Sequence, residues 1–231
     1  QYEQKQIISI LSNVDNTLQK TDQIIEQTQR LKNGMMQKLL TRGIGHTKFK
    51  TVTLCNLMNS KPVSIPNEWE VKPLKELAKI NPKSIGKNYE HEVISYIDIG
   101  AIEDFQIKRY DELKLEERPS RAQKIIGKND IIISTVRPYL KGFAIVDDSR
   151  KNLVCSTGFA VVKLHDLEDL DFVFNYVKSS FFDNNIYRHM EGISYPAVTS
   201  NDIANSPIPF PTDKKERIRI GYILSNVDTQ I

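Results

Sequence analysis

With 231 residues, 39 per cent of them apolar and 26 per cent charged, the chain is long enough for one or two domains with a true core and too apolar for a disordered one. No apolar run approaches the ~20 residues that a membrane span requires, and the opening QYEQKQ has no secretory apolar region, so no membrane partner is expected. Cys55 and Cys155 lack CxxC spacing, which argues against a disulfide framework and for two inert thiols in a reduced, cytoplasmic setting.

Net charge is only +3, but its distribution is uneven. Arg30, Lys32, Lys38, Arg42, Lys48 and Lys50 follow one another without an acid between them, as do Arg118, Arg121, Lys124 and Lys128, whereas Asp166 to Asp171 is an acidic cluster. Acid-free basic stretches suit a polyanion. The chain opens without Met and as if inside a helix, so a piece of a longer protein is expected.

Residues 1–42 read as one long helix. Apolar residues step by four and three through Ile7, Leu11, Val14, Leu18, Ile25, Met35 and Leu39, with Thr21, Thr28 and Lys32 in register; this is the period of a helix laid along another helix. Ile10, Ile24 and Leu31 widen the stripe. A rod of ~60 Å cannot bury its own stripe, so these seam positions are assigned to helix packing against a partner. Gly43 and Gly45 end the helix.

Residues 43–66, with Gly43, Gly45, Pro62 and Pro66, read as a linker. Residues 67–211 read as a globular domain. Its β-branched and aromatic runs Glu92–Ile99, Ile131–Thr135, Phe143–Val146 and Gly158–Leu164 predict strands; Leu74–Lys79 and Asp169–Phe182 predict helices. Strands outnumber helices without regular alternation, which makes the fold class α+β. The prolines of SPIPFPT keep residues 206–212 extended, and residues 212–231 begin a second helix at Asp213 or Lys214.

That second helix repeats the first. ILSNVD stands at residues 10–15 and again at 223–228, and Glu3 and Ile7 recur as Glu216 and Ile220, so that eight of sixteen positions agree at an offset of 213. Such an offset is the length of a whole module rather than of a solenoid repeat.

Catalytic patterns are missing. There is no phosphate-cradling GxxxxGK[ST] or GxGxxG, no HExxH, no paired CxxC and no GxSxG elbow. The four histidines are scattered, and Glu112-Leu113-Lys114 has only part of the look of a metal-dependent nuclease. Asn81-Pro82 is followed by Lys83-Ser84, with no aromatic to stack a flipped base. The expectation is a chain that binds rather than catalyses, with no metal and no cofactor.

Three loops offer binding chemistry. STVRPYLK at 134–141 carries Arg137, Tyr139 and Lys141; GISYPAVTS at 192–200 carries Tyr195, Thr199 and Ser200; a basic stretch carries Arg118, Arg121 and Lys124. Arginine can pair bidentately with guanine, while hydroxyls and lysines reach phosphates. Taken singly, each of these loops is more often a turn than a reader.

Taken in order, ILSNVDNTLQKTDQIIEQTQRLKNGMMQKLLTRGIGHTKFK, IPNEWEVKPLKEL, GKNDIIISTVRPYLKGFAIV, CSTGFAVV, GISYPAVTSNDIANSPIPFP and KKERIRIGYILSNVD resemble the specificity subunit of type I restriction-modification systems along nearly the whole chain. The resemblance implies a target-recognition domain that reads one half of a bipartite site in double-stranded DNA, flanked by conserved helices that pack as a coiled coil. It also implies methyltransferase (M) subunits as partners, restriction (R) subunits through the complex, and a second specificity half or a second copy of the chain. Methyl transfer and cleavage would reside in those partners. With a DNA face so implied, residue type and loop position assign Arg137, Tyr139, Lys141, Tyr195, Thr199 and Ser200 to it, with Lys83, Lys87, Arg121 and Lys124 nearer phosphates. A coiled-coil scaffold with a protein-binding domain is the rival reading, and it predicts binding insensitive to salt. A single-chain nuclease is a third.

Overall fold

A computed structural model describes residues 2–54, 62–192 and 194–228. Helix α1 (Tyr2–Arg42) leads to a ribbon of β1 (Phe49–Val52) and β2 (Val63–Pro66); then follow β3 (Glu70–Pro73), α2 (Leu74–Leu77), β4 (Ala78–Ile80) and β5 (Val93–Ile97). A small hairpin, β6 (Ile102–Glu103) and β7 (Gln106–Ile107), precedes β8 (Asp111–Lys114), β9 (Ala122–Ile125), β10 (Ile131–Ser134), β11 (Phe143–Ile145), β12 (Leu153–Ser156) and β13 (Phe159–Leu164). Helices α3 (Leu170–Lys178), α4 (Ser180–Ile186) and α5 (Ser200–Ala204), strand β14 (Pro207–Phe210) and α6 (Lys214–Asp228) complete the order. The fold is α+β, as its strand-rich pattern predicts.

Two four-stranded sheets form the domain. One is antiparallel in the order β11-β10-β13-β4; the other is mixed, β8-β5-β12-β9, with β5 and β12 parallel. The first sheet is sandwiched. Ile131 and Ile133 of β10 and Ala160 and Val162 of β13 enter the core shared with the helices, while Ile132, Phe159 and Val161 enter a second core against β5 and β12. That is why β10 reads as an unbroken apolar run: both of its faces are buried, and each isoleucine contributes roughly 1.5–3 kcal/mol of burial.

The structure corrects several boundaries expected from sequence. The segment expected to be a linker holds the β1–β2 ribbon, with Phe49 opposite Pro66 and Val52 opposite Val63. The helix expected over 74–79 ends at Leu77, because Ala78–Ile80 extends and pairs with β13. The helix expected over 169–182 breaks at Ser179, whose hydroxyl and amide both donate to the Tyr176 carbonyl, at 2.6 and 3.0 Å, in place of a continued helical ladder. The proline-rich stretch does extend, and as β14 it pairs with β3 from Pro207–Pro73 to Phe210–Glu70. Cys155 is buried between the sheets; Cys55 lies outside the described residues.

Trp69, fully buried, joins the two helical ends of the domain. Its indole N–H donates to Glu216 Oε2 at 3.1 Å, while Glu216 Oε1 accepts from the Ile44 amide at 2.9 Å and lies 2.9 Å from His46 Nε2. Gly43 permits this closure: a Cβ there would collide with Glu216 Oε1 and come within 2.7 Å of the Trp69 ring. The acidic cluster at 166–171 receives the basic start of α6, Asp169 accepting from Arg217 Nε at 2.6 Å and Asp166 lying 2.7 Å from Lys214 Nζ. Ile220 and Leu224 then bury fully in the core against α1 and α3.

The seam of α1 is divided. Met35 and Leu39 pack on the main core beside buried Met36 and Leu40, and Thr28 and Lys32 are half-buried. Ile7, Leu11, Val14, Leu18 and Ile25, by contrast, are exposed, as are Ile10, Ile24 and Leu31. Among the described residues no helix is long and apolar enough to cross a membrane.

Candidate nucleic-acid interface

The loop after β10 is built on strained but well-tied backbone. Arg137 and Lys141 adopt left-handed conformations (φ 47° and 57°) on either side of a single turn of 3-10 helix, Pro138–Leu140, whose first residue is the proline that favours that position. Ser134 Oγ closes the loop by donating to the Val136 carbonyl at 2.7 Å. Such conformations cost a non-glycine residue about 1–2 kcal/mol and persist only where neighbours over-determine them.

Those neighbours are the second loop. Arg137 N–H donates to the Pro196 carbonyl at 2.7 Å and Val198 N–H to the Thr135 carbonyl at 2.8 Å, while Glu191 and Ala197 exchange amide hydrogen bonds at 2.9 Å. The Arg137 guanidinium lies 4.7 Å from the centre of the Tyr195 ring, and its Nη2 reaches the Ser194 carbonyl at 3.4 Å. Arg137 Nε, in contrast, is shielded from solvent and has no hydrogen-bond partner among the described residues. The Tyr195 ring and the Ser194 carbonyl together fix the half-buried guanidinium in place. Around it Tyr139, Leu140 and Tyr195 are 44, 65 and 70 per cent exposed.

The third stretch joins the same rim through the turn between β12 and β13. Thr157 N–H donates to the Arg121 carbonyl and Thr135 N–H to the Gly158 carbonyl, both at 2.8 Å, and Thr135 Oγ1 adds a bond to Gly158 O at 2.9 Å. A ladder of main-chain contacts thus runs from Arg121 through Thr157, Gly158 and Thr135 to Val198. On the far side of β9, Ile125 N–H donates to the Lys83 carbonyl at 3.1 Å and Ile85 N–H to the Gln123 carbonyl at 2.8 Å, which brings Lys83 beside the basic stretch. Lys83, Lys87 and Arg121 are exposed.

The remaining assigned residues are engaged elsewhere. Lys141 Nζ donates to Asp183 Oδ2 at 2.5 Å and to the Lys178 carbonyl at 3.1 Å, which ties the loop to the junction of α3 and α4. Burial raises the Asp183 pKa, and the Lys141 ammonium opposes that rise. Lys124 turns inward to the Phe159 carbonyl, and burial lowers its pKa. Thr199 caps α5: its Oγ1 accepts from Asp202 N–H at 3.1 Å, and its amide donates to Asp202 Oδ2 at 2.8 Å in a capping box. Ser200 is half-buried in the first turn of that helix.

Other chemistry-bearing groups have structural partners. Asn81 (φ 50°) sits at the end of β4, donating its amide to the Val161 carbonyl at 2.7 Å and accepting from Val161 N–H through Oδ1 at 2.9 Å. Glu112 accepts from Arg150 Nη1 and Ser95 Oγ, both at 2.6 Å. Among the described residues no group of three or more His, Cys, Asp or Glu side chains could hold a metal ion. Sequence reasoning missed Leu140, the exposed tip of the first loop, and Thr157-Gly158, the turn on which the loops converge. The run STVRPYLK did contain Leu140, but nothing local distinguishes an exposed leucine from a core one.

The chain belongs to the type I restriction modification DNA specificity domain family, whose profile matches residues 66–231. Among relatives, it is 28 per cent identical over 245 residues to the type I restriction enzyme MjaVIII specificity subunit of Methanocaldococcus jannaschii, covering 99 per cent of this chain and 54 per cent of the relative. It is 29 per cent identical to the putative MjaX specificity subunit of the same organism, over 93 per cent of this chain and 48 per cent of that one. The chain therefore spans about half the length of these relatives. The crystal structure of the HsdS subunit from Thermoanaerobacter tengcongensis is similar at a TM-score of 0.58 and 33 per cent identity, over 70 per cent of this chain and 42 per cent of that one. A structure from work on complex assembly and conformational transition of the type I R-M system is similar at a TM-score of 0.62 and 32 per cent identity, over 71 and 43 per cent.

Proposed function

We propose that this chain reads one half of a bipartite site in double-stranded DNA, and that its helices engage the methyltransferase subunits to which the restriction subunits dock. One observation carries the reading: main-chain hydrogen bonds join three loops, far apart in sequence, into a single rim that presents Arg137, Tyr139, Tyr195 and Arg121. Loops so fixed lose little entropy on binding and can hold an arginine fork against a base edge. Arg137 is the base reader in this reading, Tyr139 and Tyr195 contact sugar or base faces, and Lys83, Lys87 and Arg121 contact phosphates. Lys141, Lys124 and Thr199 act through the loops they anchor. Methyl transfer and cleavage belong to the partners.

The test is selection from a random duplex library with this chain bound to its methyltransferase subunit. One enriched half-site is expected from a single copy and a symmetric bipartite site from a pair; absence of enrichment at low salt sinks the recognition role. The exposed stripe Ile7 to Ile25 suits a protein partner as well, so a scaffold reading is separated by salt. DNA binding through several phosphates falls steeply as salt rises, whereas apolar helix docking does not.

A further inference from the structure

Leu140 stands 65 per cent exposed at the tip of the first loop, and among the described residues it joins none of the three apolar clusters. A lone exposed leucine on a flexible loop would need no explanation. This one is fixed. Its N–H donates to the Arg137 carbonyl and the Lys141 N–H to the Pro138 carbonyl, both at 2.9 Å, between two residues held in left-handed backbone. Lys141 is tied further by its ammonium on Asp183 and on the Lys178 carbonyl. An apolar side chain presented to water on so constrained a backbone gives up little backbone freedom when a ligand covers it.

The shape of the tip limits what that ligand surface can be. Val136 and Ala197 form an antiparallel bridge, flanked by the Arg137–Pro196 and Val198–Thr135 hydrogen bonds, so the two loops meet as a short two-stranded ribbon. Paired strands lie about 4.8 Å apart before any side chain is added. With exposed Tyr139, Leu140 and Tyr195 attached, the tip is too broad for a minor groove about 6 Å wide and suits a major groove of about 12 Å, which admits such a ribbon. In that groove guanine offers N7 and O6, adenine N7 and an amino group, and cytosine an amino group; thymine adds an apolar group, its 5-methyl. Leucine has no donor or acceptor. Against a polar base edge it would displace water and return no hydrogen bond, whereas against the methyl both partners leave water at no polar cost.

We infer that Leu140 is a specificity-determining residue that reads the 5-methyl group of a thymine in the major groove. The inference deepens the proposed reading of this rim as a DNA face and rests on it.

The test uses the chain bound to its methyltransferase subunit and the duplex that selection enriches. Each thymine of the half-site is replaced in turn by deoxyuridine, which removes the methyl and keeps every hydrogen-bonding group. One replacement is expected to weaken binding about fourfold, as the loss of one buried methyl does. Leu140→Ser is expected to bind the thymine and deoxyuridine duplexes alike at that position. Leu140→Met, which keeps an apolar side chain of similar volume, is expected to restore the difference. Leu140 is exposed, so Leu140→Ser should melt with the parent, which separates loss of the contact from loss of the fold. Crossing the protein change with the duplex change isolates this pair from any thymine contact made by the methyltransferase subunit.

An enriched half-site without thymine, or one in which no deoxyuridine replacement matters, would overturn the inference while the DNA reading stood. So would a deoxyuridine effect that Leu140→Ser leaves intact. Equal loss by Leu140→Ser on both duplexes, with no difference between them in the parent, would overturn it as well and place Leu140 on a sugar or a base face. Absence of any enriched half-site would end the proposed reading and this inference together.

Discussion

Trp69 Nε1 and Glu216 Oε2, 147 residues apart and 3.1 Å from each other, close the domain between the exit of α1 and the start of α6. Glu216→Ala leaves the Trp69 indole and the Ile44 amide without their acceptor in a shielded site, at a cost of about 1–3 kcal/mol for each buried group. The expected outcome is a clear fall in the urea midpoint with little change in slope, reported by the chain's single tryptophan. An unchanged midpoint would show that the three contacts are not holding α6.

Arg137 lies over the Tyr195 ring, and the proposed function makes it the base reader, so Arg137→Ala should cost about 1–3 kcal/mol at the preferred half-site and relax preference there. Arg137→Lys keeps the charge but loses the planar fork, and it should restore affinity for bulk DNA without restoring selectivity. Competition between preferred and scrambled duplexes measures both; unaltered selectivity in either variant removes the loop from the reading face.

Lys83, Lys87 and Arg121 are exposed and placed near phosphates in the same proposal. Alanine at each should weaken all sequences alike and lower the slope of log affinity against log salt by about one per residue. A change in sequence preference instead would move that residue to the base-reading group.

Lys141 separates stability from recognition. Removing it by Lys141→Ala takes the ammonium from the half-buried Asp183 carboxylate, which should lower stability by about 1–3 kcal/mol, less than for a fully buried pair because solvent reaches both side chains. Sequence preference at low temperature should survive. Thermal unfolding and duplex competition on the same sample check the two halves; an intact melting temperature with lost selectivity would return Lys141 to the DNA face.

The alkaline limb of stability follows from buried acids that must stay neutral. Burial pushes the Cys155 thiol up from 9.0 to about 12 and the Tyr187 phenol up from 10.0 to about 12, and it raises Tyr176 as well. Each folded-state pKa lies above its unfolded value, so the associated stability is full below about pH 9, declines as pH rises through the unfolded values and is lost by the folded ones. Unfolding midpoints should be flat from pH 7 to about 9 and then decline, and Cys155→Ala should shallow the decline. In the native state at neutral pH, Cys155 should also resist alkylation.

Periodicity and turn chemistry make much of the fold legible in the sequence. The 3.5-residue stripe of α1, the apolar runs of β10 and β13 and the extended prolines of β14 are local patterns, and local patterns are what backbone sterics and burial on one or two faces impose. The candidate loops were legible as places where cations, aromatics and prolines meet between strands. Their union was not, because the amides of Arg137, Thr157 and Val198 find carbonyl partners far along the chain.

The amino-acid sequence by itself determined the class of fold, the repeat that marks the module, and the residue types available for binding, since each follows from spacing and side-chain chemistry along the chain. Only the tertiary structure decided which groups are free to act. Lys141, Lys124 and Thr199 have the right chemistry for a polyanion, yet their polar atoms are held by Asp183, Phe159 and Asp202. Likewise only packing distinguishes Leu11 from Leu224 within one repeated phrase: one has a core beside it and the other does not, because burial is a property of the space around a residue and not of the residue.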